Sequence, residues 1–349
     1  MTLSGYVVQL AMVAWVIFGG LGAFFLEKAR SFSPSPFFQW LYFFAAVGLT
    51  FKIGGFPFSY AHYRLERKKG LSRQNLGSWL GDQGKGILVG IVLGVIVLYA
   101  FYFITNSQSS LWWVWMWLFL MTFSILLAQL APVILLPIFI KMKPMESGEL
   151  KTRLLALSER FKVTVKEVYH LGLGEKTEKG NAAFMGLGKT KRIVIGDTLY
   201  EKFPLEEVEA VFAHELGHQV HNDLWKGLSI SAVLMLLTLG ISETLARHFG
   251  VTVGDPFAFF TFLVLWTVVQ MPFNVTQAWY SRSREWAADR FASETTQMAA
   301  PLASALERLT FQNQGLFKPN GVWEWLTYSH PAPWRRIMSL RALKARGNP

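Results

Sequence analysis

The stretch GILVGIVLGVIVLYAFYFI, residues 86–104, carries no charged side chain and no proline. A helix of about 20 apolar residues crosses the hydrocarbon core of a bilayer, and this run meets that length. Five further stretches do the same on either side of it: residues 6–26, 37–60, 111–140, 228–245 and 256–280. The segment 37–60 is the weakest of these, because it holds Lys52 and several glycines. The segment 6–26 has no basic region ahead of it and no small-residue cleavage pattern before Glu27. It therefore reads as a retained span and not as a removable leader. The expected fold class is an α-helical polytopic membrane protein with about six transmembrane helices and a small α+β domain.

Composition agrees with this reading. Of 349 residues, 52% are hydrophobic and only 16% charged, against roughly 25% charged in soluble chains. The mean hydropathy is +0.30. The 14 Trp and 29 Phe suit rings anchored at lipid–water interfaces. The net charge of +11 falls largely in loops beside apolar runs. There it sets topology and meets anionic headgroups, so no nucleic-acid partner is expected. With no cysteine, disulfides, thiolate metal sites and cysteine nucleophiles are excluded. A metal would have to use His, Asp or Glu.

The loop between the second and third spans holds Arg64, Arg67, Lys68, Lys69, Arg73 and Lys85 against Glu66 and Asp82. Such a basic short loop belongs on the cytoplasmic face. The nearly neutral loops 106–110 and 248–255 then lie outside, and the polar block 141–226 lies inside. Two spans separate that block from the C-terminal segment, so both polar segments share one face and can build one site. Four segments are expected. Residues 1–140 form an N-terminal transmembrane region of four spans. Residues 141–226 form a metalloprotease insert with a small sheet. Residues 227–280 form two more spans, and residues 281–349 the C-terminal helical part of the protease domain.

Within the insert, VFAHELGHQVHNDL, residues 211–224, places His214 and His218 four apart on a helix, with Glu215 beside them. Both imidazoles can reach one Zn²⁺ about one turn apart, and Glu215 suits the deprotonation of a water. Glu206 and Glu207 fall in the first turn after Pro204, as helix starts favour. Gly217 removes bulk next to the site. A catalytic zinc usually takes three protein ligands. SRSREWAADRFA, just after the sixth span, offers Glu285 as the third, and Asp289 to fix a ligand histidine through its far nitrogen. The same acids also suit a charged cap on an emerging helix. His330 in YSHPAPWRRI would stabilise an oxyanion, supported by Arg336, or else cap the turn before Pro331. His221 is read as solvated or as a supporting residue.

EVYHLG, NAAFMG and KRIVIGD read as short strands. AFMGLGKT fits a loose phosphate-loop pattern, but a strand follows it where such a loop needs a helix, so it reads as a hairpin turn. An edge strand at NAAFMG, with Asn181, Ala182 and Ala183, would pair with an extended substrate backbone.

HELGH, SRSREWAAD, NAAFMGLGKTKRIVIGDTL and SHPAPWRRI together resemble the integral-membrane CAAX prenyl proteases of type I, zinc endopeptidases of the gluzincin group. The likeness also takes in the loop RLERKKGLSRQNLGSWLGDQGKG. It implies His214, His218 and Glu285 as ligands of one Zn²⁺ per chain, Glu215 as general base, and Asp289 as the acid behind a ligand. It implies Asn181, His330 and Arg336 near the substrate backbone and the oxyanion. It further implies helices enclosing an intramembrane chamber, although eukaryotic members have seven spans. The expected protein is a monomeric zinc metalloendopeptidase in the bilayer, acting on peptide or lipidated-protein substrates. Alternatives are a quality-control metalloprotease of the heat-shock type, a transporter with a structural zinc, and a catalytically silent scaffold.

Overall fold

The computed structural model describes residues 3–107, 109–165, 167–186, 188 and 191–346. The chain opens with α1 (Leu3–Phe18) and α2 (Leu21–Phe32), then the long helices α3 (Pro36–Lys68), α4 (Leu76–Asn106) and α5 (Trp112–Leu130). A π turn at Ala131–Leu135 leads into the short α6 (Leu136–Phe139). The turn contains Pro132, whose missing N–H breaks the regular helical ladder. The polar block follows as β1 (Met142–Pro144), α7 (Glu149–Arg160), β2 (Val168–Leu171), β3 (Ala182–Met185), β4 (Arg192–Gly196), α8 (Asp197–Tyr200) and α9 (Leu205–Val220). Next come α10 (Asp223–His248) and α11 (Pro256–Arg290), with a second π turn at Phe291–Thr295. The chain closes with α12 (Ala299–Gln312), α13 (Gly321–Thr327) and α14 (Pro333–Arg346).

Among the described residues, five helices are long and apolar enough to cross a membrane, or six if the bent pair at the N-terminus counts as one span. The sequence predicted one unbroken span there. The two pieces meet instead at 59°, because Gly20 adopts a left-handed φ of 80° that ends α1 and that glycine tolerates best. Along these helices the apolar side chains face outward. Phe18 is 85% exposed and Leu88 65%, an apolar surface that water would not tolerate and lipid would.

The chain forms two compact units. The first draws on Met1–Lys69, Trp79–Thr122 and Ala232–Phe273. Its core is aromatic: Trp40 packs on Phe259 at 5.1 Å between ring centroids, and Trp112 meets Phe262 edge-on at 4.9 Å. Polar staples join its helices. Trp266 Nε1 donates to Thr238 Oγ1 at 3.0 Å, and Trp117 Nε1 to the Ala232 carbonyl at 2.8 Å. Such bonds hold helices together where the hydrophobic effect cannot.

The second unit is built from Gly70–Ser78, Phe123–Ser231 and Asn274–Pro349, so it does not follow the four contiguous segments expected. The loop between α3 and α4 is part of it. Ser72 bridges Thr177, Arg73 N donates to the Lys176 carbonyl, Glu178 N donates to the Leu71 carbonyl, and Arg73 ion-pairs with Glu178. The four-stranded sheet has the order β1-β2-β4-β3. β2 and β4 run parallel, while β1 and β3 lie antiparallel at its edges. The expected hairpin joins β3 to β4, with Gly186 and Gly188 at positive φ; Leu187, Lys189 and Thr190 of that motif lie outside the described residues. Leu154, Ile193, Ile195, Leu199, Leu216 and Leu302 form the centre of this unit's core, where sheet, α7, α9 and α12 bury one face each.

Candidate metal centre

Helix α9 carries the HELGH motif with its apolar face buried at Val208, Phe212 and Leu216. Gly217 allows a close approach: a Cβ there would lie 3.1 Å from Ala288 Cα and 3.2 Å from Phe291 Cβ. The end of α11 therefore lies directly against α9, and Glu285 and Asp289 lie one turn apart on it.

His214, His218 and Glu285 each offer one ligand atom, and these atoms lie within 4.8 Å of one another. His214 Nε2 is 3.4 Å from Glu285 Oε2, and His218 Nε2 is 3.4 Å from Glu285 Oε1. The two rings stand nearly perpendicular, 4.9 Å apart. Each imidazole is backed by a carboxylate on its far nitrogen. Asp289 Oδ1 is 3.0 Å from His214 Nδ1, and Asp223 Oδ2 is 2.9 Å from His218 Nδ1. That arrangement directs both Nε2 lone pairs toward the glutamate, as histidine ligands of metals are held. Glu285 Oε2 is buried and makes no hydrogen bond among the described residues, although Arg336 Nη1 stands 3.0 Å away. Two imidazoles, one carboxylate and an under-coordinated buried oxygen suit a divalent ion of the zinc type.

Asp223 went unassigned in the sequence. It begins α10, after Asn222 turns the chain at a left-handed φ of 54°, a conformation asparagine tolerates. Only that turn brings the acid back onto His218, and the sole signal is an acid placed after an Asn just past the motif. Arg284 Nη1 flanks Asp223 at 3.5 Å. His221 packs edge-on against Phe291 and is no part of the ligand group.

Arg336 was expected near an oxyanion. It is 6% exposed and occupied as a clamp. Its Nε and Nη2 donate to the two oxygens of Asp289 at 2.8 and 2.7 Å, and Nη2 lies 3.3 Å from His214 Nδ1. His330, on the loop before α14, is 62% exposed at the side chain, with Nε2 3.3 Å from Glu285 Oε1. Two groups fix that loop: Arg282 Nη1 donates to the Tyr328 carbonyl at 2.6 Å, and Ala332 N donates to the buried Glu324 at 2.9 Å. Glu215 is half-buried. None of the site's ion pairs uses it, so its carboxylate stays available.

Charge balance follows from this packing. Burial disfavours the protonated form of His218, but the Asp223 and Glu285 carboxylates outweigh it and raise its pKa to about 10. Burial likewise opposes a charge on His214, and Asp289 and Glu285 overcome it in the same direction. The ligand group thus attracts a cation, either protons on imidazole or a metal.

Asn181 is exposed just ahead of β3, and its carbonyl accepts from Gly196 N at 2.9 Å. Ala182 and Ala183 pair with Ile195 and Val194 on the inner side, and β3 is the outer strand of the sheet. Phe184 stacks on Phe212 at 5.2 Å, two residues before His214, which seats the edge strand on the HELGH helix.

An HExxH helix whose ligand group is completed by a glutamate beyond two apolar helices is the layout of a membrane-embedded metallopeptidase. Residues 144–344 match Peptidase family M48, and residues 1–141 match the family described as CAAX prenyl protease N-terminal, five membrane helices. The chain belongs to peptidase family M48. The chain is 27% identical to a CAAX prenyl protease 1 homolog of Arabidopsis thaliana, over 95% of this chain and 82% of that one. It is 28% identical to CAAX prenyl protease 1 of Saccharomyces cerevisiae (80% and 67% covered), and 25% identical to the uncharacterized metalloprotease YhfN of Bacillus subtilis (87% and 74%). It superposes on the crystal structure of S. mikatae Ste24p with a TM-score of 0.87 at 25% identity, covering 96% of this chain and 84% of that one. The chain is a multi-pass integral membrane metallopeptidase; these relatives favour neither the heat-shock type nor a transporter.

Proposed function

We propose that this protein is a zinc endopeptidase of CAAX type, cleaving prenylated or otherwise membrane-associated polypeptides from the cytoplasmic face. The observation that carries the chemistry is the ligand group itself, with three donor atoms within 4.8 Å and a carboxylate behind each imidazole. The substrate class rests on relatives named CAAX prenyl protease 1. The orientation rests on the basic stretch at residues 64–85, which spans the end of α3, the turn after it and the start of α4.

His214, His218 and Glu285 would hold Zn²⁺, which when bound supplies Lewis acidity that acidifies a water and polarises a carbonyl. Glu215 takes the proton of the attacking water and delivers it to the leaving amine. His330, on the exposed side, donates to the oxyanion of the tetrahedral carbon. Arg336 and Asp289 keep His214 and Glu285 in place, and Asp223 does the same for His218. The outer edge of β3, from Asn181 through Ala182 and Ala183, pairs with the substrate backbone as an added strand. One chain supplies every group, so the monomer is the working unit.

The test is incubation of the purified protein with a farnesylated CAAX peptide and with an unrelated unlipidated peptide, with and without chelator, followed by product mapping. Chelator-sensitive release of the terminal tripeptide from the lipidated peptide alone is expected. Equal cleavage of both peptides would remove the lipid requirement, and metal-independent cleavage would remove the mechanism.

A further inference from the structure

The first unit contains a hollow that the proteolytic reading leaves unused. It lies between α3, α4 and α11, with a volume of about 720 Å³ and a lining that includes Leu41, Gly48, Gly90, Gly94, Phe101 and Phe259. That volume is within the roughly 300–1,000 Å³ range of ligand sites. In membrane helices, glycine commonly lets a neighbouring helix approach. It does not do so here, since a Cβ added at Gly48, Gly90 or Gly94 would meet nothing within 4 Å. These glycines leave open space where larger side chains would fill the groove.

Lys52 is the one charged residue in the lining. Its Nζ donates to Gln83 Oε1 at 3.0 Å, its only partner among the described residues. No carboxylate pairs with Lys52 among the described residues. Past Gly86, α4 is apolar as far as Ile104, and Lys52, bonded to Gln83, lies beside the end of that run. From Lys52 the lining follows α3 down to Leu41, about 16 Å at 1.5 Å per residue. One leaflet of the hydrocarbon core is about 15 Å deep, half of the roughly 30 Å total.

We propose that this groove binds an anionic phospholipid of the surrounding bilayer, its acyl chain along the glycines and its phosphate on Lys52. Charge and depth select this occupant. A groove for a purely apolar chain has no use for an ammonium at its mouth, and an ammonium facing lipid with only an amide partner calls for an anion. The leaflet concerned is the one bordering the basic loop between α3 and α4.

The test is native mass spectrometry of the full-length protein released from nanodiscs of mixed phosphatidylglycerol and phosphatidylcholine. The wild type is expected to retain phosphatidylglycerol over phosphatidylcholine, with Lys52 contributing about fivefold to that preference, as one basic residue at the membrane surface does. Lys52→Gln should lower the ratio about fivefold, and Lys52→Arg should restore it, which separates charge from any effect on folding. Gly90→Leu with Gly94→Leu should reduce retention of both lipids. An unchanged ratio in Lys52→Gln overturns the proposal. So does an equal ratio in the wild type, or a farnesylated peptide that displaces the lipid equally from wild type and Lys52→Gln.

Discussion

Glu215 is the side chain on which turnover should depend and metal retention should not. Glu215→Gln is expected to lower peptide hydrolysis by on the order of 10²–10⁴-fold, the usual contribution of a positioned base, with metal content unchanged by elemental analysis. Full activity in that variant would assign the base elsewhere. Asp223 makes the opposite kind of prediction. Asp223→Ala frees the far nitrogen of His218, now held at 2.9 Å, and should weaken metal binding by roughly 10–100-fold; competition against a calibrated chelator measures it. The raised pKa of His218, about 10, lies above its unfolded value of about 6.5. In the metal-free protein its contribution to stability is therefore complete below about pH 6.5 and is lost as pH rises toward 10. Metal must displace that proton, so loading at neutral pH should release protons and weaken as pH falls. Titration with Zn²⁺ in buffers of different ionisation enthalpy reads this directly, and loading without proton release would contradict it. At this scale the histidines and Glu215 were legible, since i and i+4 on a helix fix their neighbourhood. Asp223 was not, because its contact depends on one left-handed turn at Asn222. Arg336 was legible as a site residue but not as a clamp, because burial of its guanidinium is a property of packing.

Elements bring these residues together by approach distance more than by sequence neighbourhood. At the site the close approach is that of α9 on the end of α11 at Gly217, where a Cβ would lie 3.1 Å from backbone at Ala288. Gly217→Val forces the helices apart and should cost about 1–3 kcal/mol, as overpacking does. Because Glu285 lies on the displaced helix, the variant should also lose metal. Thermal melting and metal content test both effects, and a variant that melts like the wild type with its metal in place would show that the contact yields. The apolar runs made the long helices legible, and the strand after GKT made the hairpin legible. The bend at Gly20 was not, since hydropathy carries no information about φ. β1 was missed because three residues ending in proline give too short a pattern.

At the level of the whole molecule, the parity of crossings predicted that α9 and the end of α11 share one face. The 3.4 Å separations between Glu285 and the two imidazoles require it. The basic stretch at residues 64–85 is the ground for proposing that this face is cytoplasmic. Reporter fusions after Asn106 and His248 should report the outside, and fusions at Gly70 and the C-terminus the inside. A C-terminal reporter on the side opposite Gly70 would break the scheme.

The segment Gly70–Ser78 has a double employment. It holds Arg73, one of the basic residues from which the orientation is proposed, and its backbone completes the fold around the sheet through Leu71, Ser72 and Arg73. A nascent chain that missed one of the two crossings between them, α4 or α5, would leave this strip across the bilayer from Thr177 and Glu178. The catalytic half would then lack a wall. A copy short of that crossing is therefore expected to be inactive, because folding itself checks that the two segments arrive on one face.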